Sequence, residues 1–146
     1  MIQHSIFREV DNLSRHINNI YENIFKKYHL HRGQFIFISR IVENQNINLK
    51  DLARITRADK TTVTKAVQKL EENQYITKHI DATDNRITHL HPTELCIELY
   101  NKVISEKNKF LEAVLKDFPT AEVASYIQMT KNLNNYLDKV IGEHST

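Results

Sequence analysis

The feature that most constrains this chain is an apolar stripe that runs through its first segment. Apolar residues recur there every three or four positions, at Ile2, Ile6, Val10, Leu13, Ile17, Ile20 and Ile24. This spacing is the period of one face of an α-helix, so it predicts a single long helix. The whole chain of 146 residues contains only 2 Gly and 2 Pro. Folds built from many strands need more turns than this, so a mainly α protein is expected.

Three shorter helices are predicted after the first. The second carries its apolar face at Phe35, Ile38, Ile41 and Val42. Asn48 and Asp59 are each suited to cap a following short helix, because their side-chain oxygens can accept hydrogen bonds from first-turn amides. The two short helices meet across residues 56–58, a spacing typical of a helix-turn-helix.

A β-hairpin is predicted next, from β-branched and aromatic residues on either side of a polar stretch. Its strands are expected at Tyr75–Asp81 and Arg86–Leu90. Helical periodicity then resumes near Pro92 and, after an interruption at Pro119, continues towards the C-terminus. This order predicts one domain over residues 1–146, a winged helix-turn-helix flanked by long N- and C-terminal helices.

The predicted fourth helix has a polar face that is suited to reading DNA. With Val63 at the centre of the buried side, a turn of about 100° per residue places four polar residues opposite it. They are Thr61, Thr64, Lys65 and Gln68, flanked by Lys60 and Lys69. In a helix-turn-helix this face meets base edges in the major groove, where hydroxyl and amide groups read bases and ammonium groups contact phosphates or guanine. The alternative is an ordinary solvated helix face.

The tip of the predicted hairpin carries a second candidate contact to DNA. Arg86 on a narrow hairpin can enter the minor groove, and Asp84 can orient its guanidinium. Lys78 and His79 lie near the same hairpin and can add phosphate contacts. The alternative is a turn-favouring Asp-Asn pair followed by a surface arginine.

Charge and composition limit the partners and the cellular compartment that can be expected. From Lys50 to His91 the chain carries eight Lys or Arg against six Asp or Glu, so the whole net charge of +2 falls in this segment. That small excess supports a DNA-binding face without establishing one. The apolar stretches are short and no secretory signal is apparent, so a cytoplasmic protein without membrane association is expected.

In order and spacing, these segments resemble the MarR (multiple antibiotic resistance regulator) family. The resemblance is carried by the runs Leu49-Lys50-Asp51-Leu52-Ala53, Lys60-Thr61-Thr62-Val63-Thr64-Lys65, Lys69-Leu70-Glu71-Glu72, Asp84-Asn85-Arg86 and Leu90-His91-Pro92-Thr93-Glu94. It is strong from about residue 34 to 94, which would form the DNA-binding lobe. Residues 1–30 and 93–146 agree in length and periodicity and would form the dimerisation arms.

The resemblance implies a transcriptional regulator that binds a palindromic operator as a homodimer, and in particular a ligand-responsive repressor. Thr61, Thr64 and Lys65 match recognition-helix positions, and Arg86 matches the wing-tip arginine. The sequence departs from the family pattern at three positions. Gln74 and Cys96 each replace a usual glycine, and Pro92 replaces a usual leucine.

A small aromatic or amphipathic effector is a further expectation. Tyr28, His31 and Phe35 lie where the first two helices join, and Arg15 and His16 can supply a cationic partner. An aromatic cleft with a positive charge suits a carboxylate ligand. Ordinary packing and surface polarity are the alternative.

Other functions have weaker support in the sequence. Enzyme motifs and cofactor fingerprints do not occur, so we expect neither catalysis nor a cofactor. The single Cys96 is expected to be a buried structural thiol, and the His-x-His pairs at 29/31 and 89/91 supply too few ligands for a metal site. A winged-helix module for protein interaction, and a metal- or redox-responsive regulator of the same fold, remain as alternatives.

Overall fold

A computed structural model describes the backbone of residues 2–144 and the side chains of residues 5–142. The side chain of Ile2, the first member of the predicted stripe, lies outside the described residues. Six α-helices and three β-strands occur in the described range. In chain order they are α1 Ile2–Lys27, α2 Arg32–Glu43, β1 Ile47–Asn48, α3 Leu49–Thr56, α4 Lys60–Glu72, β2 Ile76–Ile80, β3 Thr88–Pro92, α5 Glu94–Leu115 and α6 Thr120–His144.

The helix-turn-helix formed by α3 and α4 begins at the two predicted caps. The Asn48 carboxamide oxygen accepts a hydrogen bond from the Asp51 amide at 2.8 Å. The Asp59 carboxylate accepts one from the Thr62 amide at 2.7 Å. Arg57 reverses the chain between the helices in the left-handed conformation, with φ 55°. Both caps supply partners for amides that would otherwise lack one in the first helical turn.

The wing is a three-stranded antiparallel sheet with strand order β1-β3-β2. In the hairpin, Lys78 pairs with Leu90 and Ile80 pairs with Thr88. On the other edge of β3, Ile47 of β1 pairs with Leu90. Because β1 lies between α2 and α3 in the chain, this pairing attaches the hairpin to the start of the helix-turn-helix.

The hydrophobic core lies around α2, which packs against α3, α4 and β3. Ile38 and Ile41 of α2 are fully buried, as are Leu52, Leu70 and Leu90 from the elements around it. Burying one such side chain stabilises the folded state by about 1.5–3 kcal/mol. The core therefore holds α4 by its apolar side and leaves its opposite side in solvent.

The chain divides after Lys107 into two compact units, and the second begins at Asn108. The second unit contains the last turns of α5 and the whole of α6. Its large apolar side chains are unusually exposed, at Leu111, Val114, Leu115, Phe118, Tyr126, Ile127, Met129, Tyr136, Leu137 and Ile141. Within the described residues, no helix is long and apolar enough to cross a membrane.

The fold confirms the predicted class and element order. Two details differ from the sequence-based expectation. The two-residue strand β1 was not predicted, because it is too short to carry an alternating pattern. The second hairpin strand runs from Thr88 to Pro92 rather than from Arg86 to Leu90, because residues 84–87 belong to the turn at the wing tip.

Candidate nucleic-acid interface

The outer face of α4 carries the four predicted base-reading residues. Val63, Val67 and Leu70 are buried on the opposite side of the helix. Thr61, Thr64, Lys65 and Gln68 are all exposed. The Thr64 hydroxyl donates to the Lys60 carbonyl at 2.8 Å, so its oxygen and methyl group are what this residue can offer a base.

Three lysines surround this face and differ in their surroundings. Lys60 and Lys69 are exposed at either end of α4. The Lys78 ammonium lies 3.4 Å from a carboxylate oxygen of Glu71 and forms an ion pair that joins β2 to α4. Part of the Lys78 charge is therefore already balanced within the protein.

The wing tip presents Arg86 in a fixed orientation. Its side chain is 86% exposed, and it forms two hydrogen bonds to Asp84, Nε to Oδ1 and Nη2 to Oδ2, both at 3.0 Å. The guanidinium holds the pKa of the Asp84 carboxyl below its usual range. A bidentate pair of this kind favours one orientation of the guanidinium.

Two wing residues were not predicted as functional. Asp81 follows the last residue of β2, and one of its carboxylate oxygens accepts hydrogen bonds from the Thr83 amide, the Thr83 hydroxyl and the Asp84 amide. His89 on β3 contacts the other oxygen at 2.7 Å. An aspartate shortly before a predicted turn is a sequence signal for such a loop-closing role, whereas the histidine gave no comparable signal.

A separate cavity of about 270 Å³ lies in the first unit. It is lined by Ile17, Tyr21, Phe25, Arg32, Phe35, Ile36, Ser39, Arg40, Glu43, Ile104 and Lys107. The Lys107 ammonium stands over three aromatic rings, at 4.1 Å from the centroid of Tyr21, 4.5 Å from Phe35 and 5.1 Å from Phe25. Cation–π attraction favours the charged lysine in this position.

The positive charge of the cavity is only partly balanced. Glu43 forms an ion pair with Arg40 at 3.3 Å and accepts a hydrogen bond from the Tyr100 hydroxyl, also at 3.3 Å. Burial, with smaller contributions from Arg32 and Arg40, lowers the pKa of Lys107 to about 8. An anionic group placed in this cavity would therefore meet cations that are already crowded together.

The predicted effector residues do not all meet at this cavity. Phe35 lines it. Tyr28 donates its hydroxyl to Glu106 at 3.1 Å, whereas Arg15, His16 and His31 are exposed and do not contribute to the lining. Arg32, Arg40 and Lys107 were not predicted, because their convergence depends on how α1, α2 and α5 pack.

Cys96 is fully buried, as expected from the sequence. Burial raises the pKa of its thiol to about 11. The thiolate is the form that reacts with oxidants, so this cysteine is poorly suited to sensing them. In the part of the chain with described side chains, no group of three or more His, Cys, Asp or Glu is placed to hold a metal ion.

The exposed face of α4 and the arginine-bearing hairpin define a winged helix-turn-helix protein of the transcriptional-regulator class. The family model for the transcriptional regulator SarA/Rot matches residues 19–103, more than half of the chain. The chain therefore belongs to the SarA/Rot family of transcriptional regulators, and its fold is that of the MarR-type winged-helix proteins.

Individual relatives agree with this assignment. The HTH-type transcriptional regulator YybA of Bacillus subtilis is 33% identical over 117 residues, which cover 80% of this chain and 78% of that protein. A MarR protein from Peptoclostridium difficile has a TM-score of 0.82 and 36% identity, covering 92% of this chain and 88% of its own. A MarR-family regulator from Listeria monocytogenes, solved in complex with 26mer DNA, has a TM-score of 0.83 and 31% identity and covers 91% and 89%. These relatives are regulators and not enzymes.

Proposed function

We propose that this protein is a ligand-responsive repressor that binds a palindromic operator as a homodimer. The observation that carries the proposal is the pairing of two exposed surfaces on one lobe. One is the polar face of α4, and the other is the Arg86 guanidinium held by Asp84. The Listeria relative solved with DNA supports a duplex as the partner.

The two surfaces have complementary chemistry towards DNA. Thr61, Thr64, Lys65 and Gln68 would read base edges in the major groove, while Lys60 and Lys69 would contact phosphates. Arg86 would enter the adjacent minor groove, where the negative potential is deepest. Lys78 and Asp84 would act mainly by holding the wing and its arginine in place.

The proposal is tested by measuring DNA affinity for a site selected from a random pool. Arg86→Ala and Lys65→Ala are each expected to weaken binding by roughly 1–3 kcal/mol, the usual value of a base-contacting side chain. Lys102→Ala is the matched control, because it removes the same charge from an exposed position on α5. Fluorescence anisotropy at several salt concentrations would measure both affinity and salt dependence.

The outcomes separate this function from its main alternative. An enriched palindrome, with losses in the two variants and none in the control, supports the proposal. A pool without any enriched sequence would favour a protein-interaction module instead. Equal affinity for all three variants and the wild type would overturn the assignment of the base-reading residues.

A homodimer is supported by apolar surface that one chain leaves in water. Phe7, Val10, Leu13 and Ile17 form an exposed stripe on α1, and the second unit exposes the larger set given above. Monomeric proteins rarely leave this much apolar surface exposed. Two symmetric copies would cover it and would present two recognition helices to two half-sites.

The cavity in the first unit supports an anionic aromatic effector. Its aromatic walls suit a ring, and Lys107 and Arg32 suit a carboxylate. The cavity is walled by α1, α2 and α5, and α2 also packs against the helix-turn-helix. A ligand there would act by favouring one packing of these helices over another. A redox signal is less well supported, because the only thiol is buried.

A further inference from the structure

His89 contacts two segments that are far apart in the chain, one through each of its ring nitrogens. Nδ1 lies 2.9 Å from the backbone carbonyl oxygen of Asn46, in the turn before β1. Nε2 lies 2.7 Å from a carboxylate oxygen of Asp81, the first residue of the loop 81–87 that joins β2 to β3, here called the wing loop. Only 19% of the His89 side chain and 26% of the Asp81 side chain are exposed. The contact is therefore mostly shielded from water.

The two partners of His89 can only accept hydrogen bonds. A carbonyl oxygen has no proton to give, and Asp81 is ionised because its second oxygen already accepts three hydrogen bonds from residues 83 and 84. A neutral imidazole carries one N–H, so it can satisfy only one of these acceptors. Both contacts are complete only when His89 is an imidazolium.

The Asp81 carboxylate connects His89 to the wing tip through hydrogen bonds. It holds the Asp84 amide at 3.0 Å, and Asp84 holds the Arg86 guanidinium through two further hydrogen bonds. The route from the turn before β1 to the wing arginine therefore runs through His89, Asp81 and Asp84. All of these contacts lie within the first unit.

We propose that His89 is a positioning residue of the DNA-binding surface. As an imidazolium, His89 hydrogen-bonds both the wing loop and the turn before β1, and so helps to orient Arg86. When His89 loses its proton, one of these two hydrogen bonds is lost. The wing loop is then less firmly held, and DNA binding weakens. This inference rests on the proposed function, because it assumes that Arg86 contacts DNA. It adds a loss of operator affinity as the pH rises above about 6.5, the ordinary pKa of histidine.

The charged surroundings of His89 agree with this role. Its hydrogen bond to Asp81 raises the pKa of His89, the Asn46 carbonyl adds to the effect, and burial opposes it. The same histidine is the main cause of a pKa of Asp81 far below the usual range. The other titratable groups on the neighbouring strands and loop are Asp84 and Arg86 in the wing loop, Lys78 and His79 on β2, and His91 on β3. Lys50 and Asp51 lie at the start of α3, which follows β1.

The direction of the pH effect follows from the raised pKa. Below the unfolded value of about 6.5, His89 is charged in both states and its contribution to stability is fully present. That contribution is lost as the pH rises through the folded pKa, which lies higher. Asp81 stays ionised throughout this range, so only the histidine changes charge within the pair.

The first experiment is independent of DNA. Proton–nitrogen correlation spectra of the histidine rings in the full chain are expected to show both His89 nitrogens protonated at neutral pH. The titration midpoint should lie above about 6.5 and should move to lower pH in Asp81→Asn. A His89 ring that is a neutral tautomer at neutral pH would overturn the inference.

The second experiment measures operator affinity from about pH 6 to about pH 9 at constant ionic strength. Wild-type affinity is expected to fall by about tenfold, the loss that one displaced arginine contact would cause. His89→Gln should lack this component, whereas the matched variant His91→Gln on the same strand should keep it. Circular dichroism would confirm that both variants are folded.

The outcomes distinguish this inference from the function on which it rests. A wild-type pH profile in His89→Gln would overturn the positioning role alone. Absence of operator binding at every pH would overturn the proposed function, and this inference with it. Loss of the pH-dependent component in His89→Gln only, together with a protonated ring in the spectra, would support both.

Discussion

At the scale of single residues, Gln74 has an unfavourable backbone conformation at a position where the family pattern has a glycine. It follows α4 and has φ 64°, in the left-handed region where a side chain is unfavourable. Two hydrogen bonds hold the turn in this conformation. The Gln74 amide donates to the Glu71 carbonyl, and the Thr93 hydroxyl donates to the Gln74 carbonyl at 2.8 Å. These are backbone contacts of Gln74, and its exposed side chain contributes little to them.

Gln74→Gly is therefore expected to stabilise the protein. Removing the side chain relieves the left-handed strain and should raise the free energy of unfolding by up to about 1 kcal/mol. Urea unfolding at fixed protein concentration would measure it. Asn73→Gly is the control, because Asn73 has φ −83° and gains nothing from glycine. If both glycine variants are destabilised equally, backbone strain at Gln74 is not significant.

At the scale of elements, the sequence predicted the helices better than their mutual packing. Asn48 and Asp59 were identified as caps because a cap acts within one turn of its own helix. The residues that line the cavity were predicted less completely. Arg15 and His16 lie on the exposed part of α1, whereas Ile17 and Tyr21 face the cavity. The rotation of α1 about its axis depends on its partners, so periodicity alone did not identify the cavity side.

The cavity between α1, α2 and α5 is expected to bind an aromatic carboxylate such as benzoate. Lys107→Met keeps the length of the side chain but removes its charge, and should weaken benzoate binding by about tenfold or more. Wild-type affinity should also fall as the pH rises through about 8, where Lys107 loses its proton. Isothermal titration calorimetry would measure both effects.

Benzyl alcohol provides the control for this prediction, because it has the same ring without the carboxylate. Its binding should be nearly equal in the wild type and in Lys107→Met. A benzoate affinity that is unchanged by the substitution would show that the ligand charge does not meet Lys107.

At the scale of the whole molecule, the exposed apolar side chains are the basis for the proposal that two copies form the functional unit. Leu13 on α1 and Ile127 on α6 are both exposed, although residues of this type are usually buried. In the DNA-binding lobe, by contrast, most of the large apolar side chains are buried. The lobe is thus self-contained, and the helical arms are where a second copy is expected to bind.

Leu13→Asp is expected to convert a dimer into a monomer, because it places a charge in the proposed interface. Light scattering after size exclusion should report one chain of 17.2 kDa instead of two. Operator affinity should fall by roughly a hundredfold or more, since the two half-sites would then be bound independently. Asn19→Asp is the control on the same helix. A wild-type chain that is monomeric at micromolar concentration would contradict the proposal.

The sequence by itself determined the helices, their caps, the helix-turn-helix, the hairpin and the polar face of α4. Each depends on periodicity or on hydrogen bonds between residues close together in the chain. Only the tertiary structure joined His89 to Asn46 and placed Lys107 over the ring of Tyr21. Such contacts join residues far apart in the chain, and they form only when the packing of several elements brings those residues together. For that reason the polar face of α4 could be predicted, whereas the contacts of His89 and the cavity could not.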